Sequence, residues 1–116
     1  RGRRRGGPPG LRRHPLLRHI VTFRFRAEDP EGRAEAAGRL RAALERLAGT
    51  IPGIRSFEIG IDNGSLPGHS DAALVSLHDS YDALAAYQVH PAHEAAVEVI
   101  GELVSDKTVV DHPLAG

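Results

Sequence analysis

At 116 residues the chain has room for one domain around one core. It has no Cys, Met or Trp and only 4% aromatic residues, which excludes a disulfide frame, a thiolate metal site and a cysteine nucleophile, and leaves the core to Leu, Val, Ile, Ala and three Phe. The formal charge of zero hides an asymmetry: residues 1 to 19 carry seven Arg and no acid, while eight basic and fifteen acidic residues follow, a balance that argues against a phosphate-binding, nucleic-acid surface on the folded part.

Residues 1 to 17, with Arg3-Arg4-Arg5, Gly6-Gly7 and Pro8-Pro9-Gly10, are poor in apolar groups and rich in breakers, so they are expected to form a disordered leader before a domain spanning residues 18 to 113. No apolar run approaches the roughly 18 residues a membrane span requires, and no apolar signal-peptide core follows the basic start. The expectation is a soluble, cytoplasmic protein. From Arg18 the pattern alternates, with His19, Val21, Phe23 and Phe25 on one face and Ile20, Thr22, Arg24 and Arg26 on the other, which predicts the first strand. Asp29-Pro30-Glu31 supplies an N-cap, a proline at the first helical position and an acid in the first turn. Ala37, Leu40, Leu44, Leu47 and Ile51 then form the apolar stripe of a helix, and Gly49 and Pro52-Gly53 stop it.

A second strand alternates through Phe57, Ile59 and Ile61, where Gly60 predicts a bulge or the close approach of another backbone. Residues 62 to 70 are dense in turn formers and read as a long connection. A third strand covers Ala72 to His78, with Leu74, Ser76 and His78 on one face and Ala73, Val75 and Leu77 on the other. Asp79-Ser80 caps a second helix that carries Leu84, Tyr87 and Gln88 and breaks at Pro91; Ala92, Ala96, Val99, Ile100 and Leu103 form the inward stripe beyond the break. The last strand is expected from Lys107 to Asp111. The order is β-α-β-β-α-β, an α+β, ferredoxin-like arrangement in which an antiparallel four-stranded sheet carries two helices on one face. Its other face keeps Ile20, Thr22, Ala73, Val75 and Leu77, which points to a homodimer through the exposed sheet face.

Chemistry concentrates in Tyr87-Gln88-Val89-His90-Pro91-Ala92-His93. Histidine titrates near neutrality and a phenol donates to a developing oxyanion. On an unbroken helix Tyr87 and His93 fall about 120° apart, so only a break at Pro91 brings them together. The plainer alternative is that Pro91 restarts a helix, with His90 near its start and His93 capping or packing. A metal site through His19, His90 and His93 has neither the spacing nor the carboxylate of known zinc motifs, and no metal or cofactor is assigned.

Taken together, Leu17-Arg18-His19-Ile20-Val21-Thr22-Phe23-Arg24-Phe25, the Ile51-Pro52-Gly53 turn leading to Ser56-Phe57-Glu58-Ile59-Gly60, Ala73-Leu74-Val75-Ser76, the Tyr87 to His93 segment and Val109-Val110-Asp111 resemble the stress-responsive A/B barrel (Dabb) family, within the dimeric α+β barrel superfamily. The resemblance covers roughly residues 17 to 112. It implies a homodimer with its sheets back to back and a small pocket between sheet and helices in each subunit. Candidate pocket-lining residues are Val21, Phe23, Leu40, Leu44, Leu74, Ser76, Leu84 and Val99. The same tyrosine and histidines occur in family members known only as stress-induced or uncharacterised, so the resemblance implies a stress-related barrel, or one that binds a small apolar ligand, without an assigned activity. One branch, plant polyketide cyclases, closes a linear poly-β-keto thioester by an aldol reaction without cofactor; there the histidine matching His93 is the base, the tyrosine matching Tyr87 its polar partner, and the histidine matching His19 lies near the pocket. The resemblance thus leaves two readings, a ligand-binding or stress-related barrel and a cyclase-like proton-transfer enzyme with catalytic His93, Tyr87 and His19 and a polyketide-like ligand.

Overall fold

The computed structural model describes residues 15–114. The elements are β1 (Leu17–Phe25), α1 (Pro30–Ala48), β2 (Ile54–Ile61), β3 (Ala72–His78), α2 (Tyr81–Gln88), α3 (Pro91–Leu103) and β4 (Val104–Pro113). The sheet is antiparallel with order β2-β3-β1-β4, so β1 sits inside and β4 is an edge. This is the expected ferredoxin-like α+β architecture, with the second helix divided into two. The first fourteen residues of the expected leader lie outside the described residues, while Leu17, the last of them, opens β1 with its side chain fully buried.

Alternation in β1 does what its period requires: Leu17, His19, Val21, Phe23 and Phe25 are buried beneath the helices, and the residues between them are half-buried or exposed on the other face. Asp29 caps α1, its carboxylate accepting from Gly32 N at 3.1 Å, with Pro30 in the first turn. Ala36, Leu40, Ala43, Leu44 and Leu47 are the buried stripe; Ala37 is half-buried, and Ile51 is buried just beyond the helix end. Gly53 turns the chain at φ 87°, and a Cβ there would stand 3.1 Å from Ala83 Cβ, so the turn needs glycine both for its dihedral and for the docking of α2.

Gly60 does not fulfil its expected role. It pairs with Ala73 in regular register, and a Cβ built on it meets nothing within 4 Å. The irregularities lie instead between Ile54 and Ser56 and between Arg24 and Phe25. The final strand is also longer than its apolar core suggests. It begins at Val104, directly after α3, because Asp106 and Val104 still pair with Arg24 and Phe25 across that irregularity. Among the described residues no helix is long and apolar enough to cross a membrane.

A histidine and tyrosine cavity between sheet and helices

The break between α2 and α3 is built from local hydrogen bonds. Ser80 caps α2, its hydroxyl accepting from Ala83 N at 3.1 Å. At the joint, His90 N donates to Tyr87 O at 3.2 Å, and the His90 ring caps α3, its Nδ1 accepting from Ala92 N at 3.0 Å. His90 is therefore a structural cap at the start of a proline-led helix. Across this joint Tyr87 and His93 come together, their ring centroids 4.7 Å apart.

Tyr87 is 1% exposed and also meets two strand histidines, His78 at 4.8 Å and His19 at 5.8 Å between centroids. His19 Nδ1 lies 2.5 Å from Asp111 Oδ1, its cross-strand partner on β4. A carboxylate only accepts, so Nδ1 carries the proton and Nε2 is the basic nitrogen of the neutral ring. His78 is fully buried and its Nε2 bonds Ser76 Oγ at 2.8 Å. The Nδ1 atoms of His78 and His93 are buried without a hydrogen-bond partner among the described residues.

Burial sets the charge state of this cluster. It holds His78 down to about 4, with the neighbouring His19 pushing the same way. It also lowers His93, a shift opposed by the backbone of Gln88 and increased by His19 and Lys107. The phenol of Tyr87 is raised to about 12 for the same reason. At neutral pH the cluster therefore presents a neutral phenol and two neutral imidazoles.

Of the cluster, His19, Tyr87 and His93 line a cavity of about 150 Å³. Its floor and walls are His19, Val21, Phe23, Leu44, Leu47, Leu74, Tyr87, His93, Ala96 and Ile100, and its exposed lining residues, Gln88, Val97, Lys107 and Val109, mark the mouth beside the edge strand β4. Of the residues singled out from sequence, His19, Tyr87, His93, Val21, Phe23, Leu44 and Leu74 meet here. The other four pocket candidates do not. Leu40 and Leu84 are buried in the core, Ser76 is sealed against His78, and Val99 lines a shallow groove between α1 and α3. Each lies on the apolar face of its element but away from the cavity end.

Sequence reasoning passed over Asp111, His78, Gln88 and Lys107 as site residues. The signal for Asp111 was a lone acid in an apolar strand end, and its role needs the β1–β4 register to be seen. Ser76, among the described residues the one hydroxyl hydrogen-bonded to a histidine of the cluster, has no exposed surface, which rules it out as a nucleophile for an external substrate. Among the described residues no three His, Asp or Glu side chains are grouped to hold a metal ion.

Fold and cavity together define a ferredoxin-like α+β domain with a buried imidazole–phenol cluster. The chain matches the family described as the stress responsive A/B barrel domain over residues 17–114, and it belongs to that family. It is 34% identical, over 78% of its length and 92% of the relative's, to an uncharacterised protein of Streptomyces coelicolor. A dimeric ferredoxin-like protein of unknown function from Thermobifida fusca is similar at 31% identity and TM-score 0.75, covering 87% of this chain and 92% of that one. A second dimeric protein of unknown function, from Bacteroides fragilis, is similar at 31% identity and TM-score 0.74, covering 85% and 96%.

Proposed function

We propose that the domain binds a small, largely apolar ligand whose one carbonyl or hydroxyl meets Tyr87 and His93. The observation that carries this reading is the pairing of the neutral Tyr87 phenol with the half-buried His93 ring, 4.7 Å apart between centroids, both lining one largely apolar cavity. A hydrogen bond between the phenol and a ligand carbonyl or hydroxyl contributes roughly 0.5–1.5 kcal/mol net. Size restricts the ligand. A cavity of about 150 Å³ matches one that accepts benzene, well below the ~300 Å³ and more of drug-sized sites. The test is an NMR titration with acetophenone: saturable shifts of the Tyr87 and His93 ring signals are expected, with affinity about tenfold weaker in Tyr87→Phe. Absence of any saturable shift overturns the reading.

One observation favours a second reading, a cofactor-independent proton-transfer enzyme of the polyketide-cyclase kind. His19, its Nδ1 held by Asp111, and the neutral His93 flank the Tyr87 phenol in the same cavity. A basic imidazole nitrogen takes a proton from the carbon beside a carbonyl, Asp111 stabilises an imidazolium at His19, and the phenol donates to the enolate oxygen. The cavity holds the reacting end of such a substrate, and a longer chain leaves through the mouth. Exchange of the acetophenone methyl protons for deuterium in D2O, followed by NMR, is the measurement. It is to be accelerated by the protein and lost in His93→Ala; exchange at the buffer rate removes this reading and leaves ligand binding.

The assembly we propose is a homodimer through the helix-free face of the sheet, as expected from the half-buried Ile20, Thr22, Ala73, Val75 and Leu77. Val110, opposite Ile20 on the same face, is 56% exposed in the single chain and extends that apolar surface. The dimeric state of both 31%-identical structures supports it. Sedimentation is expected to give a dimer for the wild type and a monomer for Val75→Glu; a monomeric wild type at micromolar concentration removes the proposal.

A further inference from the structure

The lining of the cavity has a second polar end that the imidazole cluster does not explain. Side chains on alternate positions of a strand share a face, and on β4 the positions opposite His19, Val21 and Phe23 are Asp111, Val109 and Lys107. Since those three β1 residues point under the helices, so does Lys107. At ~3.4 Å per residue, Lys107 Cα lies about 14 Å along β4 from Asp111, with Val109 between them. Asp106, the next residue along, pairs with Arg24 on the opposite face. Among the described residues Lys107 makes no salt bridge, and the one acid in register with the cavity, Asp111, is held by His19. The mouth is thus marked by one cation, and no carboxylate lines the cavity to oppose it.

We infer that the ligand of this cavity is an anion, a small carboxylate whose apolar body, one ring or a branched chain, lies against Val21, Phe23 and Val109, with its carboxylate on Lys107 at the mouth and a ketone or hydroxyl at the inner end. The inference rests on the cavity-binding reading above and adds the chemical class. Its reasons are geometric. The two polar ends are separated by an apolar middle, and the volume admits one ring there. A carboxylate left at the mouth keeps part of its hydration and meets an ammonium at the water boundary, where an ion pair avoids the full desolvation cost of burial. A neutral ligand of the same shape makes every contact except this one. The charge of Lys107 also reaches His93 and helps to hold that imidazole neutral, so cation and inner cluster border a single space.

The experiment compares 4-acetylbenzoate with acetophenone, which differ only in the carboxylate, by NMR titration against the intact protein and against Lys107→Met and Lys107→Arg. The expected result is a preference of about fivefold or more for 4-acetylbenzoate, weakened by salt, abolished in Lys107→Met and kept in Lys107→Arg, while acetophenone binds all three proteins alike. If acetophenone binds and 4-acetylbenzoate is no better, or if the preference survives Lys107→Met, the anion inference falls and the cavity-binding reading stands. If neither compound gives a saturable shift at the Tyr87 and His93 rings, both fall. A Lys107→Met protein with a changed one-dimensional spectrum in the core methyl region is replaced by Lys107→Gln, judged by the same criteria.

Discussion

The carboxylate of Asp71, just before β3, and the imidazole of His93, in the first turn of α3, have surroundings built to opposite ends. Asp71, 5% exposed, has every polar function engaged: its Oδ2 accepts from Phe25 N at 2.7 Å, its Oδ1 pairs with Arg33, its N–H donates to Phe23 O at 2.8 Å, and its carbonyl accepts from Asp62 N at 2.9 Å. It fastens the end of the long 62–70 connection to β1 and α1. Among the described residues, the cluster around Tyr87 instead leaves two imidazole nitrogens without partners, and its His19, Tyr87 and His93 open on a cavity. Satisfied buried polar groups hold a fold together, and polar groups that line an open space are where a ligand gains affinity. In this chain the two kinds are divided between two regions.

That division is open to test, beginning where the effect is largest. Asp71→Ala orphans a buried backbone N–H and strips Arg33 of its partner, so it is expected to cost roughly 3 kcal/mol in urea unfolding while cavity binding survives. A loss below about 1 kcal/mol would mean that Asp71 is no anchor. Acid comes next and acts on the other region. His78 is held to about 4 in the folded chain against an ordinary 6.5, so between these values the unfolded chain binds the extra proton. Stability is complete above pH 6.5 and declines as pH falls toward 4, by up to about 3 kcal/mol, with the lowered His93 adding in the same sense. Urea midpoints at pH 7, 5.5 and 4.5 are to show a steeper decline in the wild type than in His78→Gln; parallel profiles would refute the assignment.

Smaller effects sharpen the contrast. His93→Ala removes a half-buried ring whose Nδ1 has no partner, and is expected to lower stability by no more than about 1 kcal/mol, read from the thermal midpoint, while abolishing ligand-induced shifts at Tyr87. A collapse of the fold would transfer His93 to the structural region. Lys107→Met should move stability by less than about 0.5 kcal/mol, as at other exposed positions, with its whole consequence confined to anion binding.

Much of the fold was legible because it follows from periodicity and caps. The alternation of β1 gave its buried face, Asp29-Pro30 gave the start of α1, and the bounds of β3 agree with those read from its flanking residues. Pro91 announced the break, and with it the means by which Tyr87 and His93 meet. The final strand extends beyond the expected Lys107 to Asp111 at both ends, because Ser105 and Asp106 before it and His112 and Pro113 after it lack the apolar alternation by which a strand is recognised, although Asp106, His112 and Pro113 pair with β1. Lys107 and Asp111 lie within the expected strand, yet their place at the site is not legible from it. Whether a polar residue on an edge strand faces solvent or a cavity depends on register with a strand some 90 residues away, which is a tertiary fact. His78 escaped notice for a related reason: on an alternating strand it shares the face of Leu74 and Ser76, and nothing in the sequence shows a tyrosine arriving beneath it. Gly60 was overread, since a glycine in a strand implies crowding only when something stands beside it.

The two-residue joint at Val89-His90 has a consequence for rate as well as for geometry. Because the His90 cap and the proline that follows fix the turn, the approach of phenol and imidazole is settled when the chain folds and is not repeated at each encounter with a ligand. A cavity organised in advance requires no slow closing step, so association is expected to run near the ordinary diffusional range and differences between ligands to appear in how long they stay. A residue inserted at this joint would leave both helices foldable yet turn the rings apart, converting a prearranged site into one that each ligand must assemble.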